Sequence, residues 1–155
     1  MYIFDKNVFL TLGSYYASRF PTIWGRIDEL AKKGTLCSVR EVQREIETNC
    51  PYEYVTEWVK QHHDIFFAPT EAELRVVKEI FKKEQYRGFV RKTNIIKGLS
   101  VADPFIVAAG VVYGASVVTQ ESLKHGGARI PTLCQELKVK CINLEGFLES
   151  ENLMY

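Results

Sequence analysis

Five short apolar runs, each followed by a stretch of helical periodicity, restrict this chain to an α/β architecture. The runs are Tyr2–Phe4 and residues 35–39, 65–67, 115–118 and 139–142. They read apolar on both faces, as strands do in a sheet covered by helices on each side. Ile23, Ile27, Leu30 and Ala31 set helical spacing over residues 21–33, and Gly34 supplies a stop. Ser38-x-x-Glu41 predicts a capping box opening a helix that reaches about residue 48. Pro51 can start another helix, with Tyr54, Val55, Trp58 and Val59 on one side. Thr70-x-x-Glu73 predicts a second box, and Ser100 a cap for a long helix closed by Gly114. Residues 130–137 and 144–149 read as helices, and residues 87–98 as a loop. Strand–helix alternation of this kind predicts a parallel sheet. At 155 residues, the chain has the length of one domain, 1–155.

Other classes recede on composition. No run approaches 18 consecutive apolar residues, so no membrane span is expected. The N-terminus lacks the basic and apolar regions of a secretory signal, which predicts a cytoplasmic protein. Four cysteines (37, 50, 134, 141) form no C-x-x-C pair and read as buried thiols. His62, His63 and His125 read as surface residues. A formal net charge of +1 does not by itself indicate nucleic acid. Locally, however, seven basic residues face two acidic ones from Lys78 to Lys97. Lys82, Lys83, Arg87, Arg91 and Lys92 in that stretch can neutralise phosphates, and Tyr86 and Phe89 can offer rings to bases. A solvated helix face is the plainer reading of the same residues.

The carboxylates carry the chemistry. Ligands of open α/β sheets bind beyond the carboxyl ends of the strands. Asp5 directly follows the first strand, Glu45 lies two turns into the helix after the second, and Asp103 lies in the first turn of the long helix. Glu121 follows the fourth strand. Four acids at one edge repel one another unless a cation is bound, and hard oxygen donors suit Mg²⁺ or Mn²⁺. Each has a plainer role as well: Asp5 and Asp103 as caps, Glu45 and Glu121 as surface charge. Asp103 is the only charged residue between Leu99 and Glu121, in a helix that is apolar nearly all round. Val39, Val42 and Ile46 define the buried face of the preceding acidic helix, which favours Glu45 over Glu41 as the site acid.

Four stretches in order, Tyr-Ile-Phe-Asp-Lys-Asn-Val-Phe (2–9), Ser-Val-Arg-Glu-Val-Gln-Arg-Glu-Ile (38–46), Ala-Asp-Pro-Phe-Ile-Val-Ala-Ala (102–109) and Val-Val-Thr-Gln-Glu (117–121), resemble the motifs of PIN-like domains. The resemblance covers nearly the whole chain. It implies a three-layer α/β/α sandwich with a central parallel sheet and a Mg²⁺- or Mn²⁺-dependent ribonuclease site, similar to VapC-type toxins. It implies Asp5, Glu45, Asp103 and Glu121 as the acidic, metal-holding and catalytic set, Asn7 as support for Asp5, and Thr119 as the residue positioning the last acid. RNA, an antitoxin protein and a second copy of the chain are the implied partners. Lys6 departs from the pattern, standing where Thr or Ser usually follows the first Asp. Its ammonium can compete with the cation, face the scissile phosphate, or point away. The alternative is therefore a catalytically inactive PIN-like module, binding RNA or protein, with Lys6 in the cation's place.

Overall fold

The computed structural model describes residues 1–84, 86, 101–123 and 129–153. Five parallel strands form one sheet: β1 (Tyr2–Phe4), β2 (Leu36–Val39), β3 (Phe66–Phe67), β4 (Ser116–Val118) and β5 (Cys141–Ile142). Their order is β3-β2-β1-β4-β5. The chain builds outward from β1 in one direction, then returns to place β4 on its other flank. Register is continuous across that junction, with Tyr2, Ile3 and Phe4 opposite Ser116, Val117 and Val118.

Eight helices among the described residues cover the two faces. They are α1 (Lys6–Leu12), α2 (Pro21–Lys32), α3 (Arg40–Asn49), α4 (Glu53–Gln61), α5 (Glu71–Lys82), α6 (Asp103–Tyr113), α7 (Ile130–Glu136) and α8 (Leu144–Ser150). Alternation along β1 sorts the layers. Tyr2 and Phe4 both meet Phe147 of α8 edge-on at 4.9 Å, and Phe4 meets Phe9 of α1. Phe9 in turn packs on Trp58 of α4. Ile3, fully buried, points to the opposite face, where α6 lies on β1, β2 and β4. Helices α5 and α7 flank α6 there. This is a three-layer α/β/α sandwich with an all-parallel sheet, the architecture that the strand–helix alternation predicts.

Helix α6 approaches the sheet closely because of one residue. A Cβ on Gly110 would stand 2.8 Å from both Val117 Cγ2 and Val139 Cγ1. Gly114 then ends the helix at φ 59°, a left-handed cap that glycine adopts without steric cost. The Thr70 box forms as predicted: Thr70 Oγ1 accepts from the Glu73 backbone, and Glu73 Oε2 accepts from the Thr70 backbone.

The Ser38 box does not form. Ser38 lies inside β2, fully buried, and its hydroxyl donates to the Phe4 carbonyl at 2.6 Å. Extending β2 to Val39 leaves α3 to start at Arg40 without a side-chain cap. Glu41 is consequently buried rather than capping, with Arg40 Nη2 3.5 Å from its Oε1. Helix α4 begins at Glu53, two residues after Pro51. His62 is half-buried, stacked on Trp58 at 4.1 Å, so it is not the surface residue its sequence context suggests. Cys37 and Cys134 are buried free thiols, and Cys50 and Cys141 are partly buried. The predicted Ser100 cap, the 87–98 loop and His125 lie outside the described residues.

Candidate metal centre

The sheet's order reverses between β1 and β4, and in open parallel sheets such a switch point forms a ligand crevice beyond the carboxyl ends of the two strands. Asp5 leaves β1 there as the N-cap residue of α1, and its backbone N–H still donates to Val118 O of β4 at 2.9 Å. Its side chain caps no helical N–H and is only 3% exposed. Thr119, the first residue beyond β4, is buried and donates from Oγ1 to Asp5 Oδ2 at 2.8 Å. The same hydroxyl oxygen accepts the Glu121 backbone N–H at 3.1 Å. One threonine thus joins the first acid to the loop that carries the last. Asn7 Nδ2 adds a longer bond, 3.3 Å, to Asp5 Oδ2.

Asp103 enters from the first turn of α6. Among the described residues, no hydrogen-bond donor reaches its carboxylate. Burial pushes its pKa up to about 7, and the charges of Asp5, Glu121 and Glu45 push in the same direction, against Lys6. Burial likewise raises Asp5 to about 6; the Thr119 hydrogen bond and Lys6 oppose this, and Glu121 adds to it. All four acids and Lys6 therefore share one electrostatic environment, drawn from β1–α1, α3, α6 and the loop after β4.

Lys6 does not point away. Its Nζ lies 2.8 Å from Glu45 Oε2. Burial alone would lower its pKa, but the Glu45 hydrogen bond and charge, with Asp5 and Asp103, outweigh that and raise it. The ammonium is firmly held as a cation inside the acidic set. Glu121 is also engaged: its Oε2 accepts the Ile130 N–H at the start of α7, at 3.0 Å.

A family model described as a domain of unknown function, DUF4411, matches residues 2–155. The chain belongs to the DUF4411 family. No curated protein matches it. Two solved structures are similar to this DUF4411 chain, each at 15% identity. The crystal structure of VapBC2 from Rickettsia felis bound to a DNA fragment from their promoter covers 92% of this chain and 97% of that one, with a TM-score of 0.48. The crystal structure of PAE2754 from Pyrobaculum aerophilum covers 88% and 96%, with a TM-score of 0.43.

Among the described residues, no three His, Cys, Asp or Glu side chains are grouped tightly enough to hold a metal ion as they stand. The donor chemistry still fits a hard cation. Mg²⁺ is commonly held by one or two carboxylates, keeping waters and substrate phosphate in its other positions. Asp5 and Asp103 supply two such groups, both driven toward neutrality by burial and by neighbouring acids, Glu121 for Asp5 and Asp5, Glu121 and Glu45 for Asp103. One ammonium against four acids leaves an excess of negative charge that a divalent cation would relieve.

The predicted RNA-binding residues divide differently. Lys82 pairs with Glu79 at 2.6 Å and Lys83 with Glu136 at 2.9 Å, both at the surface. Arg87, Arg91, Lys92 and Phe89 lie outside the described residues. Tyr86 is fully buried, so its ring is not available for a base to stack on. Two participants were missed in the sequence. Ser38 ties β2 to the last carbonyl of β1, and Ile130 anchors Glu121; neither has a local pattern that marks the role.

Proposed function

We propose that this DUF4411 chain is a divalent-metal-dependent ribonuclease hydrolysing RNA phosphodiester bonds at the β1–β4 crevice. The supporting observation is the pair Asp5, buried, and Asp103, partly buried, with carboxyls pushed up to about 6 and about 7 at a sheet switch point. Asp5 and Asp103 hold Mg²⁺ or Mn²⁺, with Glu121 beside them. Bound there, the cation supplies charge to polarise the phosphate and to acidify water. Thr119 keeps Asp5 oriented through the cycle, and Lys6 keeps Glu45 at the rim, where its carboxylate takes the proton of the attacking water. The Lys6 ammonium faces the scissile phosphate and lowers the repulsion a polyanion meets on entering. A toxin role, an antitoxin partner and a homodimer belong to the same proposal and rest on the motif resemblance.

The Lys6–Glu45 pair favours a second reading, in which the ammonium replaces the cation and the fold binds RNA or protein without cutting. One assay separates the two. With Mn²⁺ and single-stranded RNA, the first reading expects cleavage by the wild type, none by Asp103→Asn, and slower cleavage by Lys6→Thr, which loses the ammonium that holds Glu45. Cleavage by Lys6→Thr alone would establish the second.

A further inference from the structure

A cleft of about 360 Å³ adjoins the acidic crevice and shares Thr119 and Glu121 with it. Its volume is at the small end of ligand pockets, room for one planar ring system but not for a duplex. The walls beyond the shared residues are mostly apolar, with Leu123 and Pro131 before and at the start of α7, Val139 and Ile142 ahead of and in β5, and Asn143 just after it. Two amides line the cleft: Asn143, whose Oδ1 accepts the Gly146 N–H at 2.9 Å, and Gln135 on the exposed face of α7, which has no side-chain partner among the described residues. Glu121 commits Oε2 to the Ile130 N–H, and among the described residues Oε1 has no hydrogen-bond donor and is left to accept from a ligand. Mostly apolar walls with one acceptor carboxylate and an uncommitted amide are the ingredients that hold an unpaired nucleobase by its edge.

We propose that this cleft is the subsite for the nucleobase beside the scissile phosphate, selecting bases that carry an exocyclic amino group. The proposal rests on the phosphodiester-cleaving reading of the crevice. A phosphate at Asp5 and Asp103 sets its neighbouring nucleotide beside Thr119 and Glu121, and the cleft is the adjoining apolar space. Glu121 Oε1 accepts from the amino group of adenine or cytosine, and Gln135 bonds the ring edge. Uracil presents a carbonyl at the position where cytosine has its amino group, and meets Glu121 acceptor to acceptor.

The test uses nucleosides without any divalent cation, so it does not depend on metal binding. The ¹⁵N-labelled chain is titrated with adenosine, cytidine, uridine and, as a base-free control, ribose, following the amides of Leu123, Gln135 and Val139. Adenosine and cytidine should move these signals, uridine should bind about fivefold more weakly, and ribose should move none. Gln135→Ala, an exposed helical position that alanine suits, should weaken cytidine about fivefold with the rest of the spectrum intact. Equal shifts with ribose, equal affinity for uridine and cytidine, or no effect of Gln135→Ala would overturn the subsite. RNA cleavage with these amides unmoved would overturn it too, whereas nucleoside binding without any RNA cleavage would instead overturn the hydrolytic reading and leave the cleft a base-binding one.

Discussion

At the residue scale, the acids are costly to the fold. A carboxyl that titrates near 7 instead of 3.8 stays protonated in the folded chain while the unfolded chain has already released its proton. Between about pH 4 and pH 7 the folded state therefore binds more protons, and stability falls as pH rises. The penalty from Asp103 is absent below pH 4 and complete above pH 7, on the order of 4 kcal/mol. Asp103→Asn should therefore stabilise the metal-free protein at pH 8 by a few kcal/mol and change it little at pH 4. Urea unfolding at the two pH values measures this, and equal effects at both would contradict it. Stability given up at a carboxylate with no hydrogen-bond donor among the described residues is what a binding site looks like before its ligand arrives. Thr119 works against the cost, since its hydroxyl favours the ionised form of Asp5.

At the scale of elements, the close seat of α6 on the sheet sets where Asp103 arrives. Gly110 permits it, and Gly110→Ala forces a methyl group within 2.8 Å of Val117 and Val139. The expected loss is about 1–3 kcal/mol, read as a lower denaturation midpoint, together with weaker metal binding as the helix start shifts. An unchanged midpoint would mean the helix is held elsewhere. Most elements could be read from sequence because their signals are local: Thr70 and Glu73 form their box, and Gly114 stops α6. Ser38 shows where local pattern fails. Its spacing to Glu41 reads as a cap, but the Phe4 carbonyl, 34 residues earlier in the chain, takes the hydroxyl. Glu41 likewise reads as the other half of that cap and is instead buried beside Arg40. Each of these outcomes is decided by tertiary partners that no window of the sequence contains. The same holds for Lys6, whose direction depended on where Glu45 would stand.

At the scale of the whole molecule, the strand order explains how acids so far apart in sequence meet. Building β2 and β3 on one side of β1 and β4 and β5 on the other opens the crevice at the carboxyl ends of β1 and β4. Asp5 and Thr119 stand on its two sides, joined by one hydrogen bond across 114 residues. Helices α3 and α6 bring Glu45 and Asp103 from opposite faces of the sheet. No described helix is long and apolar enough to cross a membrane. Uptake of a divalent cation at this convergence can be read by calorimetric titration with Mn²⁺ near pH 7.5. Saturable binding is expected for the wild type and none for a folded Asp103→Asn. A folded wild type that takes up no Mn²⁺, or an Asp103→Asn protein that binds it equally well, would overturn the metal site.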